Sequence, residues 1–243
     1  GRPRYGVIEG NTVVEVKGSP FRGRLTKTNI KHSLHEIHLL PVTDPVQLIG
    51  GVGVNYRDHT AQAEEMSGVQ LGSMGVQPFF TSTASLTGSG SPIFLTPEAG
   101  EVHYEGELVV VMGRKARHVS KDRALEYVLG YTCGNDVSAR DWQFNDMQWW
   151  RAKSSDTFAP MGPFIKTDID SGNVMLRARV NGEVIQESST SYLIHDVSSI
   201  IEHISSVITL EPGDAIFTGT PGSPVDIHAG DTVEVEIDGK GVL

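Results

Sequence analysis

A buried central strand is predicted by Tyr104-Glu105-Gly106-Glu107-Leu108-Val109-Val110-Val111-Met112. Three consecutive valines favour a strand that is covered on both faces, because a strand with one solvated face alternates apolar with polar residues. A helix is predicted downstream from Lys121 to Leu129, and a second buried strand from Tyr131 to Cys133. Strands therefore dominate, with a few short helices between them.

The composition also favours strands and turns. Of 243 residues, 38% are hydrophobic and 21% are charged, which is enough apolar surface for a globular core. The 27 glycines and 12 prolines make up about 16% of the chain, against an average near 12%. We therefore expect a mixed α+β, β-rich fold, and an all-α fold is the least favoured class.

Two regions are expected along the chain. Residues 1–45 are interpreted as a small N-terminal β domain, with strands at Tyr5 to Ile8, Thr12 to Val16 and Ile37 to Leu40. Residues 46–243 are expected to form one larger domain. Its other predicted elements are strands at Leu48 to Val54, Phe79 to Phe80, Leu176 to Val180, Val184 to Gln186, Ala215 to Thr218 and Thr232 to Ile237, a hairpin turn at Asn181-Gly182, and an amphipathic helix from Val197 to Val207.

The charge and cysteine content exclude several classes of partner. The formal net charge is −10, and no basic cluster with interleaved aromatic residues offers a track for phosphates, so nucleic acid is not expected as a partner. No apolar run approaches the roughly 18 residues needed to cross a bilayer, so no membrane partner is expected. Cys133 is the single cysteine, so an intrachain disulfide is impossible and a reducing, cytoplasmic location is the simplest expectation.

Glu105 and Glu107 are candidate metal ligands. They lie two residues apart at the head of the central strand, and the strand period of two places both carboxylates on one face. Two like charges beside a buried strand are costly unless a cation or hydrogen bonds neutralise them, and a hard divalent ion accepts carboxylate oxygens. The residues alone equally allow the strand to emerge into solvent at this point.

Asp136 is open to two interpretations as well. A carboxylate between a strand and a helix either binds a metal or accepts hydrogen bonds from the free N–H groups of the helix, and the second role is the more frequent one. Ser138, with Asp141 three residues later, resembles a capping box that opens a helix through Gln143. His59, one of nine histidines, and Lys153, one of 20 basic residues, carry little information by themselves.

Six blocks of the sequence, taken in order, resemble the fumarylacetoacetate hydrolase family. They are Gly53-Val54-Asn55-Tyr56-Arg57-Asp58-His59, Tyr104-Glu105-Gly106-Glu107-Leu108, Asn135-Asp136-Val137-Ser138-Ala139-Arg140-Asp141-Trp142-Gln143, Lys153-Ser154 with Pro160-Met161-Gly162-Pro163, Val180-Asn181-Gly182-Glu183, and Leu210-Glu211-Pro212-Gly213-Asp214 with Thr218-Gly219-Thr220-Pro221. The blocks extend from about residue 50 to residue 221, and their number and order make the resemblance specific.

The resemblance implies a fold, a cofactor and a substrate class. The fold would be the family's twisted β-sheet roll in residues 46–243 behind the small N-terminal β domain, usually assembled as a homodimer. The cofactor would be Mg²⁺, Mn²⁺ or Ca²⁺, and the substrate a small-molecule 2-oxo or diketo acid such as an acylpyruvate. By position, the implied metal ligands are Glu105, Glu107 and Asp136, the implied catalytic residues are His59 and Lys153, and the implied substrate-binding residues are Arg140, Gln143 and Thr220.

The implied reaction is hydrolysis of a C–C bond, with His59 deprotonating a water molecule and Lys153 offsetting charge that develops on oxygen. Two residues depart from the pattern of the hydrolytic members. Gln62 occupies the position of a Glu that charges the histidine, and Thr81 occupies the position of a Lys that stabilises a carbanion. The expected function is therefore a metal-dependent hydrolase of an acylpyruvate or diketo acid. The alternatives are a lyase or isomerase (decarboxylase, hydratase or tautomerase) acting on a 2-oxo acid, and an impaired member that only binds such acids.

Overall fold

The N-terminal residues form a three-stranded antiparallel sheet in a computed structural model that describes residues 2–57, 74–237 and 241–243. Its strands are β1 (Gly6–Glu9), β2 (Thr12–Ser19) and β3 (Arg22–Ser33). The strand predicted from Ile37 to Leu40 is wrong, because the chain leaves the sheet through a single 3-10 turn after β3. Nearly all of β3 is exposed, so it lacks the apolar alternation on which a sequence prediction depends.

The remaining strands belong to one large sheet and two smaller ones. In chain order they are β4 (Leu48–Val52), β5 (Pro78–Thr81), β6 (Leu86–Thr87), β7 (Val102–His103), β8 (Gly106–Met112), β9 (Val128–Asn135), β10 (Ser138–Ala139), β11 (Ala159–Lys166), β12 (Met175–Val180), β13 (Glu183–Ser189), β14 (Ala215–Phe217) and β15 (Val233–Ile237). The large sheet has the order β5-β4-β14-β8-β9-β11-β6, the second sheet is β13-β12-β15, and β7 pairs with β10.

The large sheet is mixed. Strands β4 and β14 run parallel, as do β6 and β11, whereas its other neighbouring strands are antiparallel. The turn Asn181-Gly182 joins β12 to β13 with positive φ at both residues (53° and 82°), as the hairpin prediction required. The architecture is therefore mixed α+β and β-rich, with the large sheet curled, as the sequence predicts.

Strand β8 lies at the centre of the large sheet and is buried along its whole length. Val109 faces one side, in a cluster with Leu48, Met161 and Phe217, whereas Leu108, Val110 and Met112 belong to the main hydrophobic core on the other side. The three valines thus mark a strand covered on both faces, as predicted. Alternation along β8 places Glu107 on the same face as Val109.

Three α-helices are present in the described residues: α1 (Arg140–Asn145), α2 (Trp150–Ser154) and α3 (Val197–Val207). Helix α3 has the predicted bounds, and the Asp196 side chain caps it by accepting a hydrogen bond from the Ser199 N–H. The helix predicted from Lys121 to Leu129 is partly wrong, because Lys121–Tyr127 forms a 3-10 helix and β9 begins at Val128. None of the helices in the described part of the chain is long and apolar enough to cross a membrane.

Candidate metal centre

Three carboxylates meet where β8 begins and β9 ends. Glu107 lies in β8, Glu105 immediately precedes it, and Asp136 immediately follows β9. The antiparallel pairing of Gly106 with Asn135 brings these strand ends side by side. One oxygen from each carboxylate lies within 4.8 Å of the others, and the three residues are only 5%, 2% and 3% exposed.

Both competing interpretations of these carboxylates are wrong. The strand does not emerge into solvent at Glu105 and Glu107, because both residues are buried. Asp136 does not cap a helix: α1 begins four residues later, its N-cap residue is Ala139, and no side chain in the described part of the chain caps it. The predicted capping box also fails, because the Ser138 hydroxyl donates to the backbone carbonyl of Asp136.

Lys153 lies in the same cluster. It is carried by the short helix α2, is 2% exposed, and its Nζ donates to Glu105 Oε2 at 2.8 Å and to Asp136 Oδ2 at 2.5 Å. The ring centroid of Phe79 lies 5.4 Å from the same Nζ, so the ammonium also contacts an aromatic face. A buried ammonium is therefore shared between two of the three carboxylates.

The electrostatics of this cluster show a shortage of positive charge. Burial raises the pKa of Asp136 to about 8, although Lys153 opposes the shift. Burial, followed by the nearby charges of Asp136 and Glu105, raises the pKa of Glu107 well above its usual value. Burial lowers the pKa of Lys153, but the carboxylates of Asp136 and Glu105 outweigh it, so this pKa is raised and the ammonium stays charged. Three buried oxygen donors in a site short of positive charge fit a hard divalent cation.

Arg140 and Gln143 adjoin the carboxylates. The Arg140 Nη2 atom donates to Glu105 Oε1 at 2.7 Å, and its Nη1 atom donates to Gln143 Oε1 at 2.7 Å. Both residues lie in α1, where a spacing of three places their side chains on one face. The structure thus brings these two predicted substrate-binding residues together beside Glu105.

Thr220 is close to the carboxylates, but its hydroxyl already forms hydrogen bonds within the protein. The hydroxyl donates to the Gly106 carbonyl at 2.9 Å and accepts a hydrogen bond from Gln186 Nε2 at 3.1 Å. The residue is 4% exposed. These contacts attach the loop that follows β14 to the head of β8.

His59 and Gln62 lie outside the described residues, so their positions relative to the carboxylates are not part of the structure. Thr81 is described, at the end of β5. Its hydroxyl is buried and has no hydrogen-bond partner among the described residues, and an added Cβ on Gly50 would lie 1.6 Å from it. Thr81 therefore fills the space that the missing side chain of Gly50 leaves.

Gly219 is a site residue that the sequence did not single out. Its backbone N–H donates to Glu107 Oε2 at 2.7 Å, and its φ is +106°. It belongs to the quoted block Thr218-Gly219-Thr220-Pro221, so a glycine between two threonines was the available signal. The identity of the carboxylate that it binds could not be read from spacing, because the two residues are 112 positions apart.

Comparison with known proteins places these features in a family. A family model described as fumarylacetoacetate (FAA) hydrolase C-terminal matches residues 49–243, and one described as Rv2993c-like, N-terminal, matches residues 1–41. The crystal structure of 5-carboxymethyl-2-hydroxymuconate delta-isomerase from Mycobacterium smegmatis is 40% identical, with a TM-score of 0.88, over 99% of this chain and 92% of that one.

Two further relatives have other activities in their names. Oxaloacetate tautomerase FAHD2A, mitochondrial, from Homo sapiens is 37% identical over 219 residues, which are 84% of this chain and 67% of that protein. A maleylpyruvate hydrolase from Sphingobium sp. SYK-6, in complex with manganese(II) ion and pyruvate, is 26% identical, with a TM-score of 0.80, over 99% of this chain and 94% of that one. With most of its length matched by the family model, the chain belongs to the fumarylacetoacetate hydrolase family.

Proposed function

We propose that this protein is a divalent-metal-dependent enzyme that hydrolyses a C–C bond in an acylpyruvate or diketo acid. The observation that carries the proposal is the cluster of three buried carboxylates within 4.8 Å of one another, with the buried ammonium of Lys153 bonded to two of them. A protein that needed this cluster only for stability would gain more from apolar residues of similar size, because burying charge is costly.

The proposed metal ligands are Glu105, Glu107 and Asp136. Carboxylate oxygens suit Mg²⁺, Mn²⁺ and Ca²⁺, and the relative from Sphingobium binds manganese(II) together with pyruvate, the simplest 2-oxo acid. When bound, such an ion would polarise the keto group of a 2-oxo acid as a Lewis acid.

The side chains around the carboxylates would bind the substrate, stabilise its charge and transfer protons. Lys153 would offset negative charge that develops on a substrate oxygen, because its ammonium is held in place and removed from water. Arg140, supported by Gln143, would receive a substrate carboxylate, since a guanidinium binds carboxylates bidentately. His59 would deprotonate the attacking water. Thr220, with its hydroxyl already engaged, would contribute through its methyl group or backbone.

A second candidate function is isomerisation or tautomerisation of a 2-oxo acid. Two observations favour it: Gln62 lacks the charge that water activation would use, and two of the relatives, at 40% and 37% identity, are an isomerase and a tautomerase by name. Both reactions need an enolate and neither consumes water. Lys153 and the carboxylates would serve the second function as they serve the first.

One experiment tests the proposal and separates the two candidates. The protein is incubated with Mg²⁺ or Mn²⁺ and a panel of acylpyruvates plus oxaloacetate, with chelator-treated protein as the control. Loss of the enol absorbance, product acids and CO₂ are followed together. Cleavage into two acids that stops with chelator supports the hydrolase, and enol–keto exchange without new acids supports the tautomerase. Turnover that is unaffected by chelation contradicts both.

Three other expectations also stay predictions. A family member that only binds 2-oxo acids would bind them in the presence of metal without any turnover of the panel. The expected homodimer is tested by light scattering coupled to size-exclusion chromatography. The expected cytoplasmic location is tested by fractionation of the source cells, and the human relative is mitochondrial by name.

A further inference from the structure

Asn55 is a fully buried residue that connects three separate segments of the chain. Its side-chain Nδ2 donates to the backbone carbonyls of Thr218 (2.7 Å) and His195 (3.0 Å), and its Oδ1 accepts from the His195 N–H at 2.8 Å. The orientation of the amide is unambiguous, because two partners are carbonyls and the third is an N–H. Asn55 follows strand β4, so these bonds link the end of β4 to the loop after β14 and to the segment before α3.

The contact of Asn55 with Thr218 affects the position of the Glu107 carboxylate. The Thr218 carbonyl and the Gly219 N–H belong to one peptide unit, which is planar, so fixing one end fixes the other. Asn55 holds the carbonyl end at 2.7 Å, and the N–H end donates to Glu107 Oε2 at 2.7 Å. Hydrogen bonds at both ends of an amide polarise it and strengthen each other.

The surroundings hold this peptide unit in place. Thr218 is attached to β8 through its backbone N–H and its hydroxyl, which both donate to the Leu108 carbonyl. Gly219 has a φ of +106°, and an added Cβ would lie 2.8 Å from Asn55 Cβ and 3.1 Å from the Val52 carbonyl. Asn55 therefore packs against the residue whose N–H binds Glu107.

We infer that Asn55 is a positioning residue for the metal centre, acting through the Thr218–Gly219 peptide to fix the carboxylate of Glu107. The inference rests on the proposed function, because it assigns Glu107 to the metal. A carboxylate with one oxygen held by a backbone N–H has its rotation restricted before the ion arrives. Loss of such a supporting contact typically weakens metal affinity about 10- to 100-fold.

The test measures Mn²⁺ affinity by calorimetry on the metal-free full chain. Asn55→Asp keeps the size of the side chain and the acceptor for the His195 N–H, but it removes the donor to the Thr218 carbonyl. Gly219→Ala disturbs the same peptide from its other side. Ser205→Ala is the matched control, because Ser205 is also fully buried and its hydroxyl accepts the Val119 N–H, a contact that does not involve the carboxylates or their supporting loop.

The expected result is a dissociation constant for Mn²⁺ raised about 10- to 100-fold in Asn55→Asp and Gly219→Ala and unchanged in Ser205→Ala, in protein that unfolds cooperatively. Asn55→Ala provides a second removal of the donor if Asn55→Asp does not fold. Wild-type affinity in a folded Asn55 variant overturns the inference and leaves the metal centre intact. A wild-type protein that binds no Mn²⁺ overturns the metal centre and the inference with it.

Discussion

Replacing Glu107 by Gln should stabilise the metal-free protein while abolishing its stabilisation by metal. The substitution keeps the shape of the side chain and removes a buried negative charge. The new amide oxygen can still accept the Gly219 N–H, and the new NH₂ group can donate to a neighbouring carboxylate. We therefore expect this one substitution to raise the stability of the metal-free protein and to remove the stabilisation that metal provides.

The magnitude follows from the spacing of the carboxylates. Two unit charges separated by 4.8 Å, the upper limit on the spacing within the cluster, repel each other by about 3.5 kcal/mol at an effective dielectric constant of about 20. Proton uptake relieves part of this repulsion, because burial raises the pKa of Glu107. We therefore expect a gain on the order of 1–3 kcal/mol, which for a chain of this length raises Tm by about 2–12 °C.

The gain should also depend on pH. A carboxyl group whose pKa is raised in the folded state favours folding at low pH, and this contribution is lost as the pH rises toward the folded-state pKa. The amide of the Glu107→Gln variant does not titrate, so the variant does not lose this contribution to stability as the pH rises. The stabilisation by Glu107→Gln should therefore be larger at about pH 8 than at about pH 5.5.

The assay is thermal unfolding with a chelator and with saturating Mn²⁺. At about 100 times its dissociation constant, the metal should stabilise the wild type by about 2.7 kcal/mol and the variant by a negligible amount. Glu183→Gln is the matched control, because Glu183 is exposed at the start of β13. A Glu107→Gln protein that is less stable than the wild type without metal, or that Mn²⁺ stabilises equally, would refute the reasoning.

Three further predictions concern the same region and the single cysteine. Lys153→Met should destabilise the metal-free protein by roughly 3–5 kcal/mol, because it leaves the buried Asp136 without its cation and Glu105 with Arg140 alone. In thermal unfolding, Mn²⁺ should restore part of this loss; an equal loss with and without Mn²⁺ would contradict the prediction. Burial raises the pKa of Asp136 to about 8 and that of Glu107 well above its usual value, so metal binding should release protons. Calorimetry should find that the dissociation constant of Mn²⁺ falls as the pH rises through the range in which these carboxyl groups titrate, by about tenfold per pH unit for each proton released. A pH-independent constant would argue against the assignment. Burial raises the pKa of Cys133 to about 12, so the thiol should be unreactive in the folded protein. Mass spectrometry should find the native protein unmodified by iodoacetamide and the denatured protein fully alkylated. Rapid modification of the native protein would contradict the burial.

The pairing of Glu105 with Glu107 could be predicted from the sequence because a strand has a simple period. Glu105 and Glu107 are two residues apart, so any strand through them places both on one face. The amphipathic helix Val197–Val207 and the Asn181-Gly182 hairpin could also be predicted, because each is encoded within about ten consecutive residues. Local patterns thus carried the fold class, whereas the assignment of Glu105, Glu107 and Asp136 as metal ligands came from the resemblance to the family.

The remainder depends on contacts between residues that are far apart in the chain. Lys153 lies 48 residues from Glu105, on a helix of five residues that has no periodicity of its own. Asp136 was assigned more readily to a helix cap, because the burial that excludes this role arises from the surrounding strands. Strand β3 was missed because its exposed, basic residues pair with β2 through backbone bonds that any side chain permits.

The central claim is that Glu105, Glu107 and Asp136 together hold a divalent cation. The most direct measurement is anomalous diffraction at the manganese absorption edge from crystals grown with Mn²⁺. We predict one strong anomalous peak within bonding distance of an oxygen from each of the three carboxylates, with Lys153 still bonded to at least one of them. Absence of a peak at the three carboxylates, or a peak only elsewhere in the protein, would contradict the claim.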